Sequence, residues 1–322
     1  MSLSEFTLIA RYFASQNLSR PDVLLGIGDD GALLAVPPGE SLVVTLDMLV
    51  AGRHFPAEAD PEGIGYKSLA VNLSDLAAMG AVPAWITLGL SLPAADEAWL
   101  AGFCRGLFTL AAQYRVQLIG GDTTRGPLTI TIQAHGFVPP HLALRRDGAR
   151  PGDVICVTGT LGDAALGLAL IEQPASGNAE AIAYLHRRLE RPTPRLRQGL
   201  DLRGLAGAAI DISDGLAQDL GHILERSGVG ACLLVERLPL SPALLSCTDS
   251  ASALALALAG GDDYELCFTV PPSRLPQLRT LAATWDCDLT TIGVIEAEPG
   301  LRCRCEDGTA YTLTKLGFDH FT

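Results

Sequence analysis

VLLGIGDDGALL, residues 23–34, decides between two classes of fold. The apolar run of this stretch stops at Gly26, and two adjacent carboxylates, Asp29 and Asp30, follow in a turn. Neighbouring aspartates repel each other, and burial raises their pKa values unless a partner compensates the charge. Such a turn usually faces solvent, an arginine or a divalent cation. The stretch alone leaves a solvated acidic turn and a metal-binding turn as alternatives.

The same stretch also carries the spacing G-x-G-x-x-G, formed by Gly26, Gly28 and Gly31. In a dinucleotide-binding fold a helix opens directly behind these glycines, and its N-terminus binds a pyrophosphate. Here the intervening residues are acidic and would repel phosphate, and residues 32–36 resemble a short strand that ends in a proline-rich turn. We therefore predict a strand after the turn and disfavour the dinucleotide interpretation.

Composition limits the classes of function. The 322 residues include 48% hydrophobic residues, which is enough for a packed core and suggests two domains. The chain has 23 Lys and Arg against 36 Asp and Glu, a net charge of −13, which argues against a nucleic-acid partner or an anionic membrane. Lys67 and Lys315 are its only lysines. A phosphate-handling enzyme of this composition would neutralise its substrate with arginines, backbone N–H groups and metal ions.

The eight cysteines are scattered without a C-x-x-C pair, and most lie inside apolar runs. We interpret them as reduced core residues, since Cys303 and Cys305 are too closely spaced for a tetrahedral zinc pair. No signal peptide and no apolar run of bilayer length is evident. The sequence therefore predicts a cytoplasmic protein that is not bound to a membrane.

Segments of helical and strand periodicity alternate along the chain, which favours an α/β (α+β mixed) architecture. The stretches Pro139-Pro140 and Arg145–Asp153 are the most loop-like. We therefore expect an N-terminal α/β domain over residues 1–140 and a C-terminal α/β domain over residues 150–322.

Two further carboxylates are placed by regular structure in the first half. Alternation over Ser41–Asp47 predicts a strand that presents Asp47 near its end. Asp60-Pro61 is a strong helix start, and the helix closes at Gly80. Asp75 lies inside this apolar helix, where an aspartate is a poor helix former, so we expect it to have a partner.

Glycine-rich acidic segments recur at three more places. The apolar run Val116–Ile119 breaks into GGDTTRG, residues 120–126, which we predict to be a ligand-binding loop. A strand over Ala208–Ile212 leads into DISDG before a helix over Leu216–Ser227, and a cap formed by Ser213 or Asp214 is favoured there over a ligand role. GGDDYE, residues 260–265, precedes the strand Leu266–Val270.

Carboxylate oxygens without cysteines or paired histidines favour Mg²⁺ over zinc, and magnesium usually accompanies phosphate. The sequence contains neither a P-loop nor the H-R-D and D-F-G motifs of protein kinases. From the residues alone we infer a magnesium-dependent, phosphate-handling α/β enzyme. The acids that would converge come from separate segments: Asp29, Asp30, Asp47, Asp75, Asp122, Asp211 and Asp214.

The chain resembles the thiamine-monophosphate kinase family in nearly all of its length. The motifs that carry the resemblance are GIGDDGALL (26–34), T-x-D (45–47), NLSDLAAMGA (72–81), GGDTTRG (120–126), DISDGL (211–216), GGDDYELCF (260–268) and the terminal GFDHF. A selenophosphate synthetase of the same superfamily would carry a reactive cysteine near its N-terminus, and none precedes Cys104. The resemblance implies a two-domain, aminoimidazole ribonucleotide synthetase-like fold. The N-terminal domain would bind ATP and metal and pair in a homodimer, and the C-terminal domain would complete the active site.

The activity implied by the resemblance is ATP-dependent phosphorylation of thiamine monophosphate to thiamine diphosphate, the last step in making that cofactor. The γ-phosphoryl group would be transferred directly with the help of several Mg²⁺ ions, and no general base stands out. The implied metal ligands are Asp30, Thr45, the carbonyl of Leu46, Asp47, Asp75, Asp122, Asp211 and Asp214. The implied ATP contacts are Gly121, Asp122, Arg146 and Ser213, and the implied thiamine contacts are His54, Asp262 and Phe318.

Four positions depart from the family pattern. Asp262 stands where the family usually has Glu, Phe318 where Tyr or Trp is common, and Leu46 where Thr is more usual. At Cys104 or Arg105 the family often has a Tyr that contacts adenine. These departures affect the expected adenine contact and the length of the side chains that would contact thiamine.

Two other functions stay open. One is a non-catalytic module that binds thiamine diphosphate or a nucleotide, and the other is an ATP-dependent synthetase of the same superfamily with a different substrate. Outside the motifs, His54 would be an exposed loop histidine, Arg146 a solvated charge and Phe318 a packed tail aromatic.

Overall fold

The computed structural model describes residues 5–14, 18–173 and 177–320. The amphipathic pattern of residues 3–15 predicts a helix, and that segment lies partly outside the described residues. The chain forms two compact units. The first contains the chain up to Leu76 and from Ala81 to His141, and the second contains Ala77–Gly80 and the chain from Leu142 onward. Among the described residues, no helix combines the length and the apolar character needed to cross a bilayer.

The first unit contains a four-stranded sheet and a small hairpin. The sheet has the order β3-β6-β4-β5, in which only β4 and β5 run parallel, and β1 pairs with β2. The elements up to β6 are α1 (Glu5–Leu8), which continues as a π-helical turn over Ile9–Phe13, β1 (Val23–Leu25), β2 (Leu33–Leu34), β3 (Ser41–Val50), α2 (Pro61–Ala78), β4 (Val82–Leu92), α3 (Glu97–Tyr114), β5 (Gln117–Arg125) and β6 (Thr129–Val138).

Strand β3 confirms the predicted alternation of its side chains. Leu42, Val44 and Leu46 are 42%, 50% and 54% exposed, whereas Thr45 and Asp47 lie on the other face and are half-buried. Successive side chains of a strand point to opposite faces. The strand therefore carries an exposed apolar face and a face that presents a hydroxyl and a carboxylate.

The hairpin of β1 and β2 holds the Asp29-Asp30 turn. Val23 pairs with Leu34, and both side chains pack against the cluster of buried residues around Trp85 in β4. A strand follows the turn, as predicted, and the helix required by a dinucleotide-binding fold is absent between Asp30 and β3.

Helix α2 confirms both predicted ends. The Asp60 carboxylate accepts a hydrogen bond from the N–H of Gly63 (3.1 Å), and the chain leaves the helix through Gly80, whose φ is +62°. Helices α2 and α3 touch through their backbones. A Cβ at Gly106 would lie 1.9 Å from the carbonyl oxygen of Glu62, and one at Gly65 would lie 2.0 Å from that of Phe103. The spacing of the two helices thus depends on glycine.

The predicted loop over residues 120–126 is wrong, because residues up to Arg125 belong to β5. Parallel pairing with β4 continues through Gly121, which lies opposite Leu88, and Asp122, which lies opposite Gly89. A Cβ at Gly121 would lie 2.0 Å from the carbonyl oxygen of Leu88. The glycine here permits close strand pairing, and it was misinterpreted as the mark of a loop.

The second unit is built on a seven-stranded mixed sheet in which β12 and β9 run parallel and the other pairs are antiparallel. Its order is β13-β12-β9-β11-β7-β10-β8. The elements are β7 (Val154–Thr158), α4 (Asp163–Glu172), α5 (Ala179–Glu190), α6 (Leu196–Asp201), β8 (Ala208–Asp211), α7 (Leu216–Ser227), β9 (Gly230–Leu234), α8 (Pro242–Cys247), α9 (Ser250–Ala259), β10 (Leu266–Val270), α10 (Leu275–Ala282), β11 (Leu289–Glu296), β12 (Gly300–Arg304) and β13 (Ala310–Tyr311).

The mixed helix and strand content of both units confirms the predicted fold class. All eight cysteines are free, as predicted, and five of them are buried, whereas Cys247, Cys287 and Cys305 are half-buried. Cys303 lies in β12, as the alternating pattern of its segment indicates.

Candidate active site

A cavity of about 690 Å³ in the first unit joins two of the predicted acidic segments. The turn that follows β1 lines one part of it with Asp29 and Asp30, and β5 lines another with Gly121 and Asp122. The Asp29 carboxylate accepts a hydrogen bond from the N–H of Asp30 (2.9 Å), which orders the acidic turn. Two predicted metal ligands and a predicted ATP contact therefore share one cavity.

A second acidic group lies between β3 and α2. The hydroxyl of Thr45 donates a hydrogen bond to the carboxylate of Asp75, which gives the helix aspartate the partner that its apolar surroundings predicted. Burial, followed by the negative charge of Asp75, raises the pKa of Asp47 to about 7. The Leu46 side chain is 54% exposed on the opposite face, so only its carbonyl group remains as a ligand for this site.

These donors suit a hard divalent cation. All are oxygens, and Asp47 combines burial with the nearby negative charge of Asp75, which a bound cation would neutralise. Among the described residues, no three acidic, histidine or cysteine side chains form a complete metal site. The acids are arranged in smaller groups, namely Asp47 with Asp75, and Asp30 with Asp122 around the cavity.

The predicted thiamine contact His54 lies in the turn after β3 and is half-buried. Its Nδ1 accepts a hydrogen bond from the N–H of Val50 (3.0 Å). The neutral ring therefore carries its proton on Nε2. His54 is therefore more buried and better anchored than the exposed loop histidine that is expected at this position without the family motif.

The position of the family's adenine contact is occupied by two side chains that are engaged elsewhere. Cys104 is 8% exposed, and burial raises the pKa of its thiol to about 12. The guanidinium of Arg105 pairs with the Glu62 carboxylate at 3.2 Å. Neither side chain reproduces a tyrosine at this position.

In the second unit, the turn after β8 is organised by a residue that the sequence analysis missed. Asp219 of α7 is 2% exposed, and its Oδ2 accepts hydrogen bonds from the N–H groups of Ser213, Asp214 and Gly215 at 3.0, 3.0 and 3.1 Å. Gly215 is the N-cap of α7, so the predicted cap by Ser213 or Asp214 is wrong. Asp211 is buried at the end of β8, directly before this turn.

The two predicted thiamine contacts of the second unit are bonded to the same turn. The N–H of Asp262 donates to the carbonyl of Ser213 (2.8 Å), and the N–H of Phe318 donates to the carbonyl of Asp214 (3.0 Å). Asp262 has a φ of +68°, and its carboxylate accepts a hydrogen bond from the Tyr264 hydroxyl (3.1 Å). Four predicted site residues thus lie together.

Arg146 is exposed and lies beside β8. The N–H of Ala209 donates to the carbonyl of Arg145 (2.9 Å), and the hydroxyl of Ser227 donates to the carbonyl of Arg146 (2.8 Å). These bonds hold the backbone of Arg145 and Arg146 beside β8, and the first of them is made at Ala209, two residues before Asp211. The Arg146 side chain is exposed.

A buried ionic network supports the GGDDYE segment. The carboxylate of Glu265 is fully buried, and it accepts two hydrogen bonds from Arg195 (both 2.6 Å), one from Arg188 (2.9 Å) and one from Thr158 (2.7 Å). The arginines hold the pKa of Glu265 below its usual range against the effect of burial. Asp263 is also buried, and its Oδ2 accepts from the N–H of Gly162 (2.8 Å).

Sequence models of the AIR synthase related protein family match most of the chain. The N-terminal domain model matches residues 28–138, and the C-terminal domain model matches residues 150–306. The thiamine-monophosphate kinase of Escherichia coli K12 is 52% identical over 322 residues, which is 100% of this chain and 99% of that protein. The chain belongs to the thiamine-monophosphate kinase family.

Solved structures extend this assignment to the fold. The thiamine-monophosphate kinase of Stenotrophomonas maltophilia K279a is 51% identical, with a TM-score of 0.88 over 97% of this chain and 99% of that one. AaThiL complexed with AMPPCP and TMP is 32% identical, with a TM-score of 0.78 over 100% and 99% of the two chains. The chain therefore combines the thiamine-monophosphate kinase motifs with the aminoimidazole ribonucleotide synthetase-like fold that the resemblance implies.

Proposed function

We propose that this protein transfers the γ-phosphoryl group of ATP to thiamine monophosphate, which yields thiamine diphosphate and ADP. The observation that carries the proposal is full-length similarity to AaThiL complexed with AMPPCP and TMP, an ATP analogue and the phosphate acceptor. The acidic motifs of the family are all present in this chain. Direct transfer requires positioning and neutralisation of charge more than covalent help from the protein.

In this proposal the carboxylates hold Mg²⁺. The ligands are Asp30, Thr45, the Leu46 carbonyl, Asp47, Asp75, Asp122, Asp211 and Asp214. The bound ions would neutralise negative charge on the β- and γ-phosphates, which a chain with two lysines cannot do with ammonium groups. The protein contributes fixed oxygen donors, as the bond from Thr45 to Asp75 illustrates.

The remaining predicted residues bind and orient the two substrates. Gly121, Asp122, Arg146 and Ser213 contact ATP, and His54, Asp262 and Phe318 contact thiamine monophosphate. The exposed guanidinium of Arg146 suits a phosphate group. The Phe318 ring suits stacking on an aromatic heterocycle, and the Asp262 carboxylate suits a cationic or hydrogen-bonding group of thiamine.

We also propose that the protein is a cytoplasmic homodimer. The exposed apolar face of β3 consists of Leu42, Val44, Leu46 and Met48, which are 42–54% exposed. An apolar strand face of this kind is normally covered by a partner, and a second copy of the chain offers a self-complementary one. Light scattering after gel filtration would measure twice the monomer mass, and a monomer at micromolar concentration would contradict this part of the proposal.

The activity test is incubation of the protein with ATP, Mg²⁺ and thiamine monophosphate, followed by chromatography of the products. We expect thiamine diphosphate and ADP in equal amounts. A binding module would form neither product, and a synthetase with another substrate would form no thiamine diphosphate. Absence of both products would overturn the proposed function.

A further inference from the structure

The turn of residues 212–215, which carries Ser213 and Asp214, has every backbone N–H group bonded within the protein. The N–H of Ile212 donates to the carbonyl of Glu265 (2.8 Å). The next three N–H groups donate to one carboxylate oxygen, Oδ2 of Asp219. All four donors of the turn are therefore satisfied.

The four carbonyl groups of the turn are also bonded. Each accepts from a backbone N–H group at 2.8 to 3.0 Å. In order from Ile212 to Gly215, the donors are Tyr264, Asp262, Phe318 and Asp219. The segment 262–265, the tail at Phe318 and the first turn of α7 are thus attached to this turn by its backbone.

Because its backbone groups are already bonded within the protein, the turn has few backbone hydrogen-bonding groups left for a ligand. N–H groups that open a helix normally attract phosphate, because they point outward without an intrahelical partner. At the start of α7 they donate to Asp219 instead, so these donors are already occupied. The side chains of Ser213 and Asp214, rather than the N–H groups of the turn, therefore remain for a nucleotide here.

In the described part of the chain, Asp219 supplies its side chain to this set of bonds, whereas the partners of the other five backbone groups are backbone atoms. A substitution at any other partner would leave its backbone bond in place. Removal of the Asp219 carboxylate would leave three N–H groups without an acceptor in the protein, and the turn would have to change its conformation to satisfy them.

We propose that Asp219 is a positioning residue for nucleotide binding. It occupies the anion-binding end of α7 and fixes the turn so that Ser213 and Asp214 present their side chains to magnesium-bound ATP. The proposal rests on the proposed function, which assigns Ser213 to ATP and Asp214 to a metal ion.

The test compares Asp219→Ala and Asp219→Asn with the wild type. Asp219→Ala removes the acceptor, and the KM for magnesium-bound ATP is expected to rise at least about tenfold. Asp219→Asn keeps one weaker, neutral acceptor oxygen and is expected to raise that KM only about threefold.

The matched control is Asp249→Ala. Asp249 caps α9, is exposed, and accepts from the N–H groups of Ala251 and Ser252 at 3.0 Å. This variant loses the same kind of bond away from the predicted site residues, so we expect a lower melting temperature and unchanged kinetic constants.

Two results would overturn the proposal. One is a folded Asp219→Ala variant whose KM for magnesium-bound ATP stays within about twofold of the wild type, and the other is an asparagine variant no better than the alanine variant. If Asp219→Ala does not fold, the proposal is tested by measuring hydrogen exchange of the backbone amides of residues 211–217 in Asp219→Asn. The proposal requires faster exchange there than in the wild type, and an unchanged rate would contradict it.

The proposed function is checked separately. If the wild type makes no thiamine diphosphate, that function fails, and the role of Asp219 is then measured by calorimetric titration with magnesium-bound AMPPCP. A tenfold weaker affinity in Asp219→Ala than in the wild type would still support the positioning role, and equal affinities would overturn it.

Discussion

In the first unit, Asp47 carries a pKa raised to about 7 by burial and by the charge of Asp75. In the second unit, the buried carboxylate of Glu265 has a lowered pKa, because Arg195 and Arg188 surround it. The first arrangement concentrates negative charge where a cation is proposed to bind. The second neutralises its negative charge with two guanidinium groups of the protein itself. Substitutions in the two units should therefore separate loss of activity from loss of stability.

The largest effect is expected from acids of the first unit. Asp75→Asn and Asp122→Asn should each lower kcat on the order of a thousandfold or more, because each removes a proposed metal ligand. The melting temperature in metal-free buffer should be unchanged or higher, since a negative charge is removed from an acidic group. Steady-state kinetics and calorimetry measure the two quantities.

Asp96→Asn is the control for these variants. Asp96 is an exposed N-cap of α3 in the same unit, and asparagine caps a helix as well as aspartate does. Its activity and stability should both match the wild type. Wild-type turnover in Asp75→Asn or Asp122→Asn would contradict the assignment of that ligand.

The next largest effect is expected on stability in the second unit. Glu265→Gln removes the buried carboxylate that pairs with Arg188 and with the buried Arg195, and it should lower the free energy of unfolding by about 3–5 kcal/mol. Glu306→Gln breaks an exposed pair with Arg237 and should cost less than about 1 kcal/mol. Denaturant titration measures both, and equal losses would show that Glu265 is not a structural anchor.

The pH dependence of the melting temperature should reveal the raised pKa of Asp263. Burial, with the charges of Asp163 and Glu265, raises the pKa of Asp263 well above its ordinary value, although Gly162 and Arg188 oppose the shift. The folded protein therefore retains a proton that the unfolded chain releases above about pH 4. The stability contributed by the protonated group is lost as pH rises toward the folded-state pKa.

Asp263→Asn is expected to flatten this dependence, because the amide is neutral at every pH and still accepts from the N–H of Gly162. Melting temperatures measured from pH 5 to pH 8 should fall less for the variant than for the wild type. Parallel curves for the two proteins would contradict a raised pKa at Asp263.

The smallest effect is expected at the thiamine end of the second unit. Tyr264→Phe removes the hydroxyl that donates to the Asp262 carboxylate and should raise the KM for thiamine monophosphate about three- to tenfold, with kcat nearly unchanged. Tyr311→Phe in β13 supplies the same chemical change in the same unit and should have no effect on KM. A KM shift in both variants, or in neither, would contradict a role of Tyr264 in binding thiamine monophosphate.

Much of the fold was predictable from sequence because glycine and proline bound its apolar segments. The strand Leu266–Val270 and the helix Leu216–Ser227 have the predicted ends. The predicted end of the strand at Ile119 was wrong because a local pattern cannot show that β4 continues the pairing as far as Arg125. Tertiary pairing overrode the local preference of two adjacent glycines there.

The sequence indicates the side chains that are proposed to bind ligands but not the residues that support them. The family motifs indicate Asp30, Asp122 and Asp262, but Glu265 and its partners Arg188 and Arg195 lie 77 and 70 residues apart in sequence. No local pattern joins such distant residues. Asp219 did leave a signal, because it lies among the buried positions of α7 where the apolar period predicts a hydrophobic residue.

The contact between α2 and α3 bears on how the enzyme can be engineered. Even one methyl group at Gly106 would meet the carbonyl oxygen of Glu62 at 1.9 Å, so the two helices would have to separate. Helix α2 carries Asp75, and a shift of its axis would draw that side chain away from Thr45. Random libraries aimed at a more stable or a faster catalyst should therefore leave Gly65 and Gly106 unchanged.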